Sequence, residues 1–187
     1  MQIEYVTHSS VTGNFFTINL DTVRASFEKL PWVRHAEVRR IWPDSIEVSI
    51  EEQTATARWR QADGESRLVN TYGEVFDASS EIELPVFSGP EGSAPQMLAR
   101  QQEFTTELNT LGRQIRMLDL SLRQAWRVTL DDGLVMVLGR DEAGHTVNDR
   151  MARFIAAYHG LAQKIPFQPG TVDMRYPNGF AVRPGHT

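Results

Sequence analysis

The chain has 187 residues, 41% hydrophobic and 9% aromatic, enough to build a folded core in one domain or two small ones. A formal net charge of -5 leaves no positive excess to release counterions from a phosphate backbone, so nucleic acid is not an expected partner. There is no cysteine, which removes disulfides, thiolate zinc sites and cysteine nucleophiles together.

Apolar runs such as LVMVL at 134–138 fall far short of the roughly 20 residues that cross a bilayer. This stretch of sequence is therefore expected neither to span a membrane nor to open with a signal peptide.

In chain order, Leu20, Val23, Phe27 and Leu30 recur at three- and four-residue steps, the stripe of a short helix. Asp21 is its expected N-cap, because a carboxylate accepts from the first free amides, and Pro31 stops it after Leu30. Next, Ala36 and Val38 alternate with Glu37 and Arg39, and Ile46, Val48 and Ile50 alternate with Glu47, Ser49 and Glu51. These predict two half-buried strands joined at WPDS, where proline presets one dihedral and aspartate bonds the local backbone. Helix, strand, strand is the smallest layered unit that buries one sheet face. The basic run at 34–40 reads as a solvated strand face rather than a polyanion site.

After Glu52 the texture changes to short strands with turn signals: TARWR, ADGES, RLVN, TYGEVFD and LPVFSGPEGSAP. A domain junction is expected at 52–54. Met97, Phe104, Leu108 and Leu111 mark a second helix over about 94–113. IRMLDLSL, AWRVTL and LVMVLGR predict three strands, the last two joined by Asp131-Asp132-Gly133. A third helix follows from Val147, Met151, Phe154, Ile155, Tyr158, Leu161 and Ile165, with Thr146 able to cap it and Asp149 suited to its first turn. The chain closes with TVDMRYPNGFAV, a hairpin around Pro177-Asn178-Gly179.

Catalytic machinery is hard to find. His8, His35, His145, His159 and His186 show no metal-ligand spacing, and none sits beside a plausible nucleophile. Glu51-Glu52, Asp131-Asp132 and Asp141-Glu142 lie at strand ends or turns, and sequence neighbours on a strand point to opposite faces, which does not suit an acid and base pair. SGPEGS carries a proline and lacks the lysine and hydroxyl of a phosphate cradle, so it reads as a loop. No catalysis, cofactor or metal is expected; a binding or scaffolding role remains.

The segment GNFFTINLDTVRASFEKLPWVRHAEVRRIWPDSIEVSIEEQTATARW resembles the FtsQ/DivIB family of bacterial cell-division proteins. PWV after a helix, VRR-x-WPD, the valine- and isoleucine-rich strand, the acidic pair and ARW fall in family order. YGEVF, LPVFSGPEGS, LGR and VDMRYPNGFAV extend the resemblance over about 13–182. It implies an α+β fold: a POTRA-type helix-strand-strand domain over 1–53, N-terminally incomplete, then a β domain over 54–187 with a mainly antiparallel sheet and flanking helices.

It further implies a non-enzymatic divisome scaffold on the periplasmic side of a single-pass inner-membrane protein at the septum, with the membrane anchor outside this chain. The implied partners are FtsB and FtsL. FtsB would add a strand to an exposed sheet edge near the C-terminus, where unpaired amides and carbonyls stand at ladder spacing. The matching positions are Arg175, Tyr176, Asn178, Gly179 and Phe180, with Tyr176 as aromatic anchor and Gly179 admitting another backbone. Tyr176 packing on its own hairpin is the alternative. An ion pair to the partner would come from Arg123 rather than Gln124, or be absent. Contacts to other membrane division proteins would use the SIEVSIEE or HAEVRRI run. A POTRA-bearing envelope assembly or secretion factor is the nearest rival; an envelope hydrolase is the rival from another class.

Overall fold

The computed structural model describes residues 15–60 and 66–185. The truncation expected at the start of the first domain, Gly13, most of the ADGES turn, His8 and His186 lie outside the described residues, as do the side chains of His159 and Leu161. The chain divides into two compact units, residues 1–55 with 76–78 and residues 56–75 with 79–187.

In the first unit, helix α1 (Leu20–Glu28) buries Val23 and Phe27, two members of the expected stripe. Its N-cap is Asn19 rather than Asp21: the Asn19 Oδ1 accepts from the amides of Asp21 and Thr22 at 3.0 and 3.2 Å. Asp21 instead sits in the first turn, where its charge suits the helix dipole. The helix ends at Glu28, ahead of Pro31.

Strands β1 (Val33–Ile41) and β2 (Ser45–Glu52) pair antiparallel, with Ala36 opposite Ile50 and Val38 opposite Val48. The alternation therefore places one apolar face on α1. Ile18, Val23, Phe27, Val33 and Ala36 are the buried centre of this core. The basic run is taken up internally. Arg34 donates to both Glu51 oxygens at 2.9 and 3.0 Å, Arg39 pairs with Glu47, and Arg40 bonds the carbonyls of Phe15 and Ile18.

The remaining strands are β3 (Ala55–Arg60), β4 (Ser66–Asn70), β5 (Val75–Phe76), β6 (Val86–Ser88), β7 (Ile115–Leu120), β8 (Trp126–Leu130), β9 (Val135–Gly139), β10 (Pro169–Asp173) and β11 (Ala181–Pro184). They form one sheet in the order β11-β10-β9-β8-β7-β6-β3-β4-β5. Direct connections give the antiparallel pairs β7–β8, β8–β9 and β10–β11. Helix α2 (Ala94–Leu108) carries the chain from β6 to its parallel neighbour β7, and α3 (Val147–Lys164) carries it from β9 to parallel β10. A parallel pair needs such a crossover, so the two helices and the mixed sheet are one fact. With β3–β6 also parallel, the fold is the expected α+β class with a mixed sheet.

Both helices contribute to one core. Met97, Phe104 and Leu108 of α2, and Val147, Met151 and Phe154 of α3, are buried with Leu118, Trp126, Val128, Met136, Leu138 and Val172 of the sheet. The second helix is shorter than its periodicity suggested: after Leu108 it tightens into a single 3-10 turn over Asn109–Leu111. The third is capped as expected, by a reciprocal box. The Thr146 amide and hydroxyl donate to Asp149 Oδ2 at 3.0 and 2.7 Å, and the Asp149 amide donates to Thr146 Oγ1 at 3.1 Å. These hydrogen bonds hold the Asp149 carboxyl below the usual carboxylate range.

Candidate partner-binding edge

Strand β11 ends the sheet. Its register against β10 places Ala181 opposite Asp173, Val182 opposite Val172 and Arg183 opposite Thr171. In an antiparallel ladder, alternate residues of an end strand direct their amide and carbonyl away from the one neighbour they have. Among the described residues nothing pairs with that outer side. Val182 leans into the core while Ala181 and Arg183 are exposed. Pro184 lacks an amide and so limits how far an added strand could continue.

The connection from β10 to β11 holds the five expected residues. Arg175, Tyr176 and Asn178 are exposed, and Tyr176 is 55% exposed. A Cβ built at Gly179 would meet nothing within 4 Å, so packing within this chain does not demand glycine there. Phe180 turns inward. Its ring stands edge-to-face on Phe154 of α3, centroids 5.6 Å apart and planes at 82°. Any part it takes in a partner contact therefore falls to its backbone rather than its ring.

Arg175 is held by a neighbour two residues back. Its Nε and Nη2 donate to the two Asp173 oxygens at 2.9 and 2.6 Å, and its amide donates to Oδ1 at 3.2 Å. Those bonds push the Asp173 carboxyl below the usual carboxylate range and raise the Arg175 guanidinium. Gly139, at the end of β9 with φ +78°, leaves room for this arm: a Cβ there would lie 3.0 Å from Arg175 Cγ.

Arg123 lies on the exposed β7–β8 turn, beside Leu122, which is 88% exposed. Trp126 pairs with Gly139, so this turn and the β10–β11 connection are at the same end of the sheet. Two strand spacings, roughly 10 Å, separate β8 from β10. A groove of about 380 Å³ lies over β6 to β9, lined by Ser88, Asp119, Trp126, Arg127 and Gly139, with Arg175 also in its lining. Burial pushes the Asp119 carboxyl up, against the opposing pull of Arg127 and Arg60. The structure thus gathers Arg175, Tyr176, Asn178, Gly179 and Phe180 at one turn and puts Arg123 on the β7–β8 turn at the same end of the sheet.

Sequence reasoning missed the supports. Arg150, 5% exposed, donates to the carbonyls of Leu138 and Arg140 at 2.9 and 2.6 Å, tying α3 to the exit of β9. Arg153 donates to the carbonyls of Tyr176 and Pro177 at 3.4 and 2.6 Å. Backbone carbonyls leave no mark in a sequence; the available signal was two arginines three apart beside the apolar stripe of α3.

Two of the three carboxylate pairs are engaged by arginines. Arg113 reaches Asp131 at 3.8 Å and Asp132 at 3.0 Å, Arg100 bonds Asp141 at 2.8 Å, and Glu142 faces Arg140 at 3.4 Å and Arg150 at 3.6 Å. His35 Nδ1 stands 3.1 Å from Glu28. Among the described residues no three histidines and carboxylates cluster as metal ligands.

Two family models match this chain. The C-terminal region of cell division protein FtsQ/DivIB matches residues 57–175, and the FtsQ-type POTRA domain matches residues 2–53. The protein named Cell division protein FtsQ from Burkholderia pseudomallei (strain K96243) is 41% identical over 174 residues, covering 91% of this chain and 68% of that one. Its namesake from Nitrosospira multiformis is 40% identical over 182 residues, covering 97% of this chain and 74% of its own length. That from Bordetella pertussis is 38% identical over 187 residues, covering 91% and 67%. With its fold, its paired domains and these relatives in agreement, the chain belongs to the FtsQ/DivIB family of cell division proteins.

Proposed function

We propose that this chain serves cell division as a docking scaffold: β11 accepts a strand of FtsB, Tyr176 anchors it, and FtsL is carried in the same complex. The protein catalyses nothing in this reading. It acts on the periplasmic side of the inner membrane at the septum, and the POTRA strands β1 and β2 contact further membrane division proteins. No helix among the described residues is long and apolar enough to cross a membrane.

The observation that carries the reading is the unpaired outer side of β11, with a 55%-exposed tyrosine at the turn that leads into it. Main-chain ladder bonds supply affinity in strand addition, and alternating side chains supply selectivity. Arg175 lines a groove and Arg123 lies on the β7–β8 turn at the same end of the sheet, two cations on the side where a partner's carboxylates would settle.

Calorimetric titration with a peptide from the periplasmic part of FtsB tests this. Tyr176→Ala should weaken binding by at least about 2 kcal/mol, the scale of an interface hot spot. Undiminished binding by that variant would move the anchor elsewhere.

A further inference from the structure

An edge strand binds well only if it is already held in its bound shape, because ordering it during docking subtracts from affinity. Among the described residues, no ladder partner orders the turn ahead of β11 from Arg175 to Gly179. Beyond the bonds from Arg175 to Asp173 at its start, the turn is braced by helix α3. Arg153 Nη1 bridges two consecutive carbonyls of the turn, Tyr176 and Pro177. One residue on, Phe154 supports the ring of Phe180, and one turn back Arg150 grips the carbonyls at the end of β9. Arg150 and Arg153 are three residues apart and so share a helix flank.

We propose that Arg153 is a positioning residue for partner docking: by bonding the Tyr176 and Pro177 carbonyls it sets the direction of the Tyr176 ring and the approach of β11 before a partner strand arrives. This rests on the docking reading above. The division of labour is chemical. Asp149, four residues before Arg153, has Oδ2 committed to Thr146, and Arg175 is committed to Asp173, so Arg153 is the cation whose bonds go to the turn's backbone. A guanidinium suits the task, since it is always charged and its terminal Nη1 carries two hydrogens, one for each of the two neighbouring oxygens.

The test uses the whole chain and an FtsB-derived peptide. Arg153→Met keeps the aliphatic stem and removes the donors. It should weaken peptide binding about tenfold by lowering the fraction of chains with a competent turn, while the midpoint of thermal unfolding moves by less than about 2 °C. Amide exchange in the free variant should quicken over residues 178–182 and stay unchanged in β7 to β9, a local pattern that a general structural role would not give. Arg153→Lys, which can still reach one carbonyl, should recover most of the loss, to within about threefold of the parent. Combined with Tyr176→Ala, the Arg153→Met effect should largely vanish, because both act through one turn.

Peptide binding by Arg153→Met equal to the parent's overturns the positioning role, as does weakening accompanied by faster exchange throughout the sheet. Full additivity with Tyr176→Ala also overturns it, since Arg153 would then touch the partner independently. Failure of the parent itself to bind the peptide would instead bring down the docking reading.

Discussion

Replacing Phe180 with alanine separates the inward face of the candidate site from its outward face. The Phe180 ring is partly buried and meets Phe154 edge-to-face at 5.6 Å. Truncating a fully buried phenylalanine costs about 3–5 kcal/mol, so a half-buried one with a single aromatic neighbour should cost about 1.5–2.5 kcal/mol. For a unit of this size each kcal/mol lowers the midpoint by about 3–5 °C, giving a fall of about 5–12 °C in the transition of the β domain. Tyr176→Ala, measured alongside, should shift that midpoint by less than about 2 °C, because the tyrosine is 55% exposed. Scanning calorimetry resolves both. If Phe180→Ala left the midpoint unmoved, or if the two variants fell together, the assignment of Phe180 to the core and Tyr176 to the surface would be wrong.

Two further outcomes follow from the local chemistry. Asn19→Ala should destabilise the POTRA unit by about 1 kcal/mol in chemical denaturation, with faster exchange of the Asp21 and Thr22 amides that Asn19 now holds. At Glu107, burial, then the charges of Glu103 and Asp149, push the carboxyl up, and its Oε2 is buried without a hydrogen-bond partner. A raised folded-state pKa means the native protein binds the proton more tightly than the unfolded chain. Stability is therefore lost as pH rises from the unfolded carboxyl's range through the folded value. Glu107→Gln removes that dependence, so its midpoint relative to the parent should rise between about pH 4 and pH 7. A constant difference across that range would remove Glu107 as the source.

Periodicity made the three helices and the hairpins legible, because one-sided burial writes itself into spacing. Val23 and Phe27, Ala36 and Val38, and Met151 and Phe154 all face the cores that their intervals implied. The cap of α1 slipped by two residues because Asn19 and Asp21 are both good acceptors, and only backbone geometry decides between them. The strand order was hidden for a different reason. That β9 lies beside β10, and β3 beside β6, depends on crossovers longer than any local pattern. So the terminal position of β11, on which the docking reading stands, became visible only in three dimensions. The resemblance supplied RYPNGF; the fold showed that Phe180 points in, that Arg175 is already paired, and that Arg153 braces the turn from behind.

The central claim is that a partner pairs with the backbone of β11. Amide hydrogen exchange of the whole chain, with and without a peptide from the periplasmic part of FtsB, tests it at the level of single amides. The account predicts new protection in residues 181–183, at alternate amides directed away from β10, together with slower exchange in the turn at 176–180. Tight peptide binding that leaves those amides unprotected, with protection appearing instead on β1, β2 or β5, would contradict it.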